Sequence, residues 1–115
     1  APSLSSLFKK KGKDLIRWSK WRAKKKGLPH DLSYPWIEEK MREGCSVTGR
    51  PFDLKKGKMR AFSPSLDRID SSKGYTQKNT RLVCLWYNLA KCNWDNDFIQ
   101  RVIKETVTYW EGKCS

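Results

Sequence analysis

Residues 65–91 read SLDRIDSSKGYTQKNTRLVCLWYNLAK, and they contain strand, turn and helix signals in close succession. Residues 62–69 alternate enough to predict a strand, although Pro64 places the beginning of that strand at a sheet edge. Residues 71–74 have the composition of a turn. Residues 80–87 predict either the start of a helix or a short strand that runs into one. The turn therefore lies where a two-stranded hairpin requires it.

One helix is expected on each side of this stretch. Residues 33–44 predict the first, with Ser33 as N-cap, a proline in the first turn and Gly44 at the C-terminal stop. Residues 97–110 predict the second, capped by Asp95 or Asn96. Its apolar positions recur at helical spacing: they are Phe98, Ile99, Val102, Ile103, Thr106, Val107 and Trp110.

The beginning of the chain carries most of the positive charge. The 115 residues include 25 lysines and arginines against 12 acidic residues, a formal charge of +13. Ten of the bases and one acid fall in residues 1–27, which therefore carry +9. We expect a mobile arm and then a helix over residues 14–26, with Leu15 and Trp18 packed on the core and the lysine face turned to phosphates.

The composition argues for a folded protein that stays away from the bilayer. Six Trp, four Tyr and four Phe accompany the charge, and disordered basic tails are poor in aromatic residues. No stretch approaches the roughly 20 apolar residues of a membrane span. The first eight residues are too short and too polar for a secretory signal, so we expect a cytoplasmic protein with no membrane partner.

The polar residues of the quoted stretch resemble those of the HNH endonuclease family (ββα-metal, His-Me finger), especially its small phage-type members. In that family a strand ends in Asp-His, an Asn closes the hairpin, and a helix carries a His or Asn three residues before a Lys. Here Asp67, Asn79, Asn88 and Lys91 match in order and approximate spacing. The resemblance covers about residues 27–93.

The resemblance implies a fold class and a domain organisation. The fold would be α+β, a ββα-metal core of a two-stranded hairpin plus a helix, with flanking helices. The basic arm and helix would occupy residues 1–27 and the HNH nuclease domain residues 28–115, within a single domain overall.

It also implies a catalytic set of Arg68, Asp67, Asn79 and Asn88. Asp67 and Asn88 would hold one divalent ion, Mg²⁺ or Mn²⁺, because hard cations prefer oxygen ligands and neutralise the charge at the scissile phosphate. Asn79 would brace the end of the hairpin. Each residue also has an ordinary explanation: Asp67 pairing with Arg68 or Arg81, Asn79 capping a helix, and Asn88 as an exposed polar residue.

Arg68 stands where the family has its general base, a histidine. Arginine cannot accept a proton near neutral pH. Three explanations stay open. Metal-bound or bulk hydroxide attacks while Arg68 clamps the phosphate; His30, the only histidine, is the base; or the fold is kept for binding alone. We favour the first, which is consistent with weak or nicking activity.

The cysteines do not predict a structural zinc ion. Many relatives carry Cys-x-x-Cys pairs on both sides of the motif. Here Cys45 is followed at that spacing by Thr48, and Cys84 by Tyr87. Threonine and tyrosine are poor zinc ligands, and the other two cysteines are wrongly spaced. We expect reduced thiols, with Cys45, Cys84 and Tyr87 in one packed or hydrogen-bonded cluster.

DNA is the expected partner, because phosphate contacts follow from the charge. The residues expected to contact nucleic acid lie in the first helix, in a second basic loop and in the motif itself. They are Lys9, Lys10, Lys11, Lys13, Arg17, Lys20, Arg22, Lys24, Lys55, Lys56, Lys58, Arg60, Arg81 and Lys91.

Three functions are compatible with these patterns. The first is a metal-dependent endonuclease that hydrolyses or nicks DNA. The second is a catalytically weak or inactive HNH-fold module that binds nucleic acid, which Arg68 favours. The third, a small structural RNA-binding protein, explains the charge but not the order of the motif residues.

Overall fold

The computed structural model describes residues 4–54 and 60–114. Its elements are helix α1 (Leu4–Lys26), helix α2 (Tyr34–Glu43), strand β1 (Pro64–Arg68), strand β2 (Thr80–Cys84), helix α3 (Leu85–Lys91) and helix α4 (Asn96–Cys114). The fold is α+β, as predicted. The loop lysines Lys55, Lys56 and Lys58 lie outside the described residues.

Strands β1 and β2 form an antiparallel sheet of two strands, in which Asp67 lies opposite Arg81. Helix α3 follows β2 directly and packs against both strands. The apolar positions of β2, Leu82 and Val83, are buried together with Tyr87 of α3. The segment 80–87 is thus a short strand running into a helix, and the ββα unit predicted from the sequence is present.

Helix α1 begins at Leu4, so the expected mobile arm is part of the helix from that residue on. The helix also shares the core of the ββα unit instead of lying apart from it. Its buried positions are Ile16, Ser19 and Ala23. Together with Gly12 they form a stripe at helical spacing, which joins the basic segment to the rest of the protein.

The predicted packing of Trp18 on the core is wrong, since 47% of its surface is exposed. A β-carbon placed on Gly12 would lie 3.0 Å from the Ile37 side chain, so α1 and α2 approach closely along the stripe of small residues. An indole does not fit such a narrow contact. Leu15 is half-buried at the edge of the core, as expected.

Helix α2 has the predicted ends. The Ser33 hydroxyl accepts a hydrogen bond from the Trp36 amide at 3.3 Å, which satisfies one free amide of the first turn. Gly44 follows the helix with a φ of 85°, a conformation that favours glycine. The apolar face of the helix places Ile37 and Met41 in the core.

Helix α4 is capped by Asp95, whose Oδ2 accepts hydrogen bonds from the amides of Asp97 and Phe98. Its predicted apolar face is buried only near the start, at Ile99. Val107 and Trp110 are 47% and 64% exposed, because no described element covers the later turns. Among the described helices, none is both long and apolar enough to cross a bilayer.

Candidate active site

Asp67 is the buried centre of the motif. Its side chain is 3% exposed, and Oδ1 accepts a hydrogen bond from Lys91 Nζ at 3.0 Å while Oδ2 accepts one from Arg81 Nε at 2.8 Å. Burying a carboxylate is costly unless it is paired and hydrogen-bonded. The two cations meet this requirement. Pairing with Arg81, the ordinary explanation of Asp67, is therefore realised.

Lys91 is consequently not placed as a phosphate contact, contrary to the prediction, and Arg81 is partly committed to contacts within the protein. Lys91 is 1% exposed, and Nζ also donates to the Arg68 carbonyl at 2.9 Å. Arg81 Nη2 donates to the Tyr87 hydroxyl at 3.3 Å and to the Asn96 side chain. These contacts stabilise the hairpin, and the burial of Lys91 keeps its ammonium away from a ligand.

Asn79 spans the loop between the two strands. Its side-chain oxygen accepts from the Asp70 amide at 3.0 Å, and Nδ2 donates to the carbonyls of Asp70 and Gly74 at 3.0 and 2.9 Å. These are the hydrogen bonds that a bracing role requires. The end of β1 is thereby held in one conformation beside Arg68.

Arg68 ends strand β1 at the wall of a cavity. Its guanidinium carbon lies 5.0 Å from the centre of the Tyr75 ring, and Nη1 donates to the Lys73 carbonyl at 3.1 Å. Arginine has five N–H donors in a planar fork. One of them meets the Lys73 carbonyl, and the residue, 9% exposed, lines the cavity, where a guanidinium suits an anion such as phosphate.

Asn88 presents an oxygen to the same cavity. Its Nδ2 donates to the Leu66 carbonyl at 3.0 Å and to the Ser65 hydroxyl at 2.7 Å. A carbonyl only accepts, so the nitrogen must face β1. No described residue donates a hydrogen bond to the side-chain oxygen, and Asn88 lines the cavity. That oxygen suits a hard cation.

The cavity measures about 320 Å³. It is lined by Trp18, Arg22, Leu66, Asp67, Arg68, Ser71, Tyr75, Asn88, Leu89, Cys92 and Asn93. The lining includes a single carboxylate, Asp67, which already pairs with two cations. It includes no histidine, so none of the lining residues is a conventional general base for neutral pH.

Two arginines, Arg22 and Arg68, line the cavity. The guanidinium groups of Arg22 and Arg68 lower the pKa of the nearby Lys26 ammonium below its ordinary value, with a smaller contribution from burial. Like charges that approach one another in this way create a positive potential, which attracts anions. The electrostatics of the site therefore favour a phosphate over a free cation.

His30 does not line the cavity. Its Nε2 lies 2.8 Å from the Ser19 hydroxyl, and its backbone pairs with Tyr75. Burial lowers the pKa of His30, and the Lys20 charge lowers it further. The contacts of His30 are those of a structural residue at the junction of α1 and the hairpin loop.

The Cys45 thiol accepts hydrogen bonds from the backbone amides of Cys84 at 3.2 Å and Thr48 at 3.5 Å. Burial acts to raise the pKa of Cys45, but hydrogen bonds from Thr48, Cys84 and Val47 outweigh it and lower that pKa. Burial, together with the Cys45 hydrogen bond, raises the pKa of Cys84 to about 11. Tyr87 is buried in the same core as the two cysteines, as expected, while its hydroxyl accepts a hydrogen bond from Arg81.

The remaining residues predicted to contact nucleic acid are on the surface. Those of α1 are exposed along the helix except Lys11 and Arg22, which are half-buried, and Arg60 is exposed. The set comprises Lys9, Lys10, Lys11, Lys13, Arg17, Lys20, Arg22, Lys24 and Arg60. Arg22 alone of them lines the cavity, which makes it the link between the basic helix and the site.

Sequence reasoning missed the aromatic side of the cavity. Trp18 was assigned to the core, and Tyr75 was given no role. The spacing of Trp18 and Arg22, four residues apart and so one helical turn from each other, is the signal that points to a surface role, since a tryptophan beside a cation suits stacking.

The geometry defines a small α+β protein with a ββα core of the HNH type and a positively charged cavity beside it. No family model and no curated protein matches the sequence. The structure is similar to that of the rare-cutting HNH restriction endonuclease PacI, with a TM-score of 0.60 and 22% sequence identity. The match covers 90% of this chain and 81% of the other. At that identity the likeness shows the shared fold.

Proposed function

We propose that this chain binds DNA and hydrolyses its phosphodiester backbone, as a metal-dependent endonuclease. The observation that carries the proposal is the meeting of Arg68 and the Asn88 oxygen at one cavity, next to the basic helix α1. The fold shared with an HNH restriction endonuclease supports it. The order of Asp67, Asn79, Asn88 and Lys91 supports a phage-type member, which would act in the cytoplasm of a host cell.

DNA binding begins with charge. Helix α1 carries exposed bases along its length, and its Arg22 reaches the cavity. Lysines and arginines that neutralise phosphates release counterions and bind without regard to base sequence. The helix would therefore hold the backbone across the cavity with modest sequence preference, which places one phosphate against Arg68.

Arg68 would clamp that phosphate and stabilise the charge that develops on it. Its guanidinium is fixed by the Tyr75 ring and the Lys73 carbonyl, so little reorganisation is needed when the ligand arrives. Asn79 holds the strand end that positions it. Because arginine keeps its proton at neutral pH, hydroxide is the nucleophile, and the cleavage rate should rise with pH.

A divalent ion, Mg²⁺ or Mn²⁺, would be held by the Asn88 oxygen, with Asp67 as the second predicted ligand. It would neutralise phosphate charge and stabilise the leaving oxygen. Both Asp67 oxygens already accept hydrogen bonds from cations, so the protein residues alone give the ion little negative charge. Asp67 and Asn88 therefore suit a divalent ion that is also coordinated by a DNA phosphate.

The test is cleavage of supercoiled plasmid with Mg²⁺ or Mn²⁺ and with EDTA. Wild type should give relaxed or linear product only with metal, and the relaxed fraction reports nicking. Asn88→Ala should lose roughly 100-fold or more in rate. Gln100→Ala, which removes an exposed amide on α4, is the matched control and should cut like wild type. Asp67→Ala is a poor variant here, since it leaves Lys91 unpaired in the interior.

The second candidate is a binding module without nuclease activity. It is favoured by Arg68 in place of a base and by the double pairing of Asp67. Salt-sensitive DNA binding with no cutting by wild type in either metal, between pH 7 and pH 9, would select this function. Cutting that survives in Asn88→Ala would contradict the proposed site instead.

A further inference from the structure

The cavity beside Asn88 has an aromatic wall that phosphate binding does not use. The Trp18 ring is held by Arg22, whose guanidinium carbon lies 5.1 Å from the ring centre, and by an edge contact with Tyr75 at 6.5 Å. Even so, 47% of Trp18 is exposed. A large aromatic ring that is fixed in place but left in solvent is ready to stack on a ligand.

The cavity continues this apolar surface on another element. Leu89 of α3, the neighbour of Asn88, is 69% exposed and lines the same cavity. The volume of about 320 Å³ falls in the range of roughly 300–1,000 Å³ typical of small-ligand pockets. The site is therefore large enough for a flat ring in addition to a phosphate.

Along the wall two neighbouring rings lie between two arginines, in the order Arg22, Trp18, Tyr75, Arg68. The guanidinium carbon of Arg68 lies 5.0 Å from the Tyr75 ring centre. A nucleotide combines an anionic phosphate with a flat base that has a π-face. Aromatic surfaces among basic residues are the usual way in which proteins bind unstacked bases, whatever their sequence.

We propose that this cavity holds one nucleobase that has left the DNA stack, with Trp18 as the stacking surface and Arg22 and Arg68 on the adjoining phosphate. The inference rests on the proposed function and specifies its substrate. A paired base must be unstacked before it can enter, whereas an unpaired base enters without that cost. The protein should therefore prefer DNA with an unpaired nucleotide at the bound position.

The first experiment measures binding in EDTA, where hydrolysis does not interfere. Two labelled duplexes that differ by one unpaired nucleotide are titrated with wild type, Trp18→Ala, Trp18→Phe and Trp21→Ala. Wild type should bind the duplex with the unpaired nucleotide roughly ten-fold more tightly. Trp18→Ala should bind both duplexes equally, and Trp18→Phe should keep most of the preference.

Trp21→Ala is the matched control. Trp21 lies on the same helix, is 60% exposed and has the Lys25 ammonium 5.0 Å from its ring centre, but it does not line the cavity. Its loss should leave the preference unchanged. Equal ratios for wild type and Trp18→Ala, or the same loss in Trp21→Ala, would overturn the inference.

A spectroscopic readout tests the stacking itself. 2-Aminopurine at the unpaired position loses fluorescence when an aromatic ring stacks on it. Wild type and Trp21→Ala should quench its emission on binding, and Trp18→Ala should not. Quenching that survives in Trp18→Ala would contradict the assignment of the stacking surface.

The two proposals fail in different ways. If wild type binds neither duplex and cuts no plasmid, the proposed function is ruled out. A wild type that cuts plasmid yet binds both duplexes equally removes only the unstacked-base site. Tighter binding of RNA than of either duplex would also overturn it, because the proposal commits to a base displaced from DNA.

Discussion

The hairpin with helix α3 and the basic helix α1 both carry many charges, but they use them in opposite ways. In the hairpin, Asp67 and Lys91 are buried and satisfied by one another. On α1 the lysines are exposed except the half-buried Lys11, and Asp14 is the one acidic residue. Charge in the hairpin therefore fixes a structure, while charge on α1 remains available to a partner. A motif residue is not a ligand contact merely because it is charged.

The sharpest test of this difference is Asp67→Ala. It leaves the Lys91 ammonium buried with only the Arg68 carbonyl, and it frees Arg81 from its carboxylate. An uncompensated buried charge costs about 3–5 kcal/mol. We expect a loss of that size in the free energy of unfolding, measured by urea denaturation in EDTA.

Lys91→Met and Asp97→Ala are the comparison variants. Lys91→Met should cost less than Asp67→Ala, because Asp67 keeps the Arg81 hydrogen bond at 2.8 Å. Asp97 is exposed in the first turn of α4, so its loss should stay within about 0.5 kcal/mol. An Asp67→Ala protein as stable as wild type would show that Asp67 serves a ligand and not the fold.

The next largest effect is expected where the hairpin loop meets the segment after α1. A β-carbon on Gly74 would lie 2.2 Å from the Pro29 carbonyl oxygen, and the Tyr75 amide donates to that same oxygen at 3.0 Å. Gly74→Ala must move one backbone away from the other. We expect a loss of about 1–3 kcal/mol in thermal or urea unfolding.

Gly112→Ala in α4 provides the contrast, since an added β-carbon there meets nothing within 4 Å. In a helix, alanine is favoured over glycine by about 0.5–1 kcal/mol. This variant should therefore be as stable as wild type or slightly more stable. Equal losses in the two variants would mean that the close approach at Gly74 does not govern stability.

Changes on α1 should affect binding and leave stability unchanged. Replacing Lys13 and Lys24, both exposed, by glutamine removes two charges from the helix surface. The slope of log affinity for DNA against log salt should fall by about 0.9 for each phosphate that the variant no longer neutralises. Lys104→Gln on α4 is the matched control. An unchanged slope, or a loss of unfolding free energy, would mean that the lysines of α1 stabilise the fold, as the hairpin charges do, and do not bind DNA.

The ββα unit could be predicted because its signals are local. Alternation, turn residues and cap residues lie within a few positions of one another, and the structure has the hairpin and α3 at those places. The cross-strand pairing of Asp67 with Arg81 could also be predicted from the sequence. A turn centred on Gly74 puts these two residues opposite each other, and opposite charges favour such a pair.

The face that α1 buries was not accessible from the sequence. Two stripes compete, one with Leu15 and Trp18 and one with Ile16 and Ala23, and both have helical spacing. The choice depends on how closely α2 approaches at Gly12, which is a tertiary fact. The burial of Lys91 was missed because its partner, Asp67, lies on β1, and residue spacing within α3 does not show contacts with another element.

The smallest expected effect lies at His30, which joins the two regions through the Ser19 hydroxyl of α1 and the Tyr75 backbone of the loop. Burial, and then the Lys20 charge, lower the pKa of His30 in the folded protein below its ordinary value of 6.5. The folded state thus binds this proton less readily than the unfolded chain. Its contribution to stability is complete above pH 6.5 and is lost as the pH falls through the lowered pKa.

Wild type should accordingly lose stability between pH 7.5 and pH 5 relative to His30→Gln, which cannot take up the proton. The measurement is the difference in Tm between the two proteins at each pH, at constant ionic strength. A difference that does not change with pH would mean that His30 acts only through its hydrogen bond. A wild type that gains stability in acid would show that protonation of His30 strengthens the junction, and that folding raises the pKa of His30 instead of lowering it.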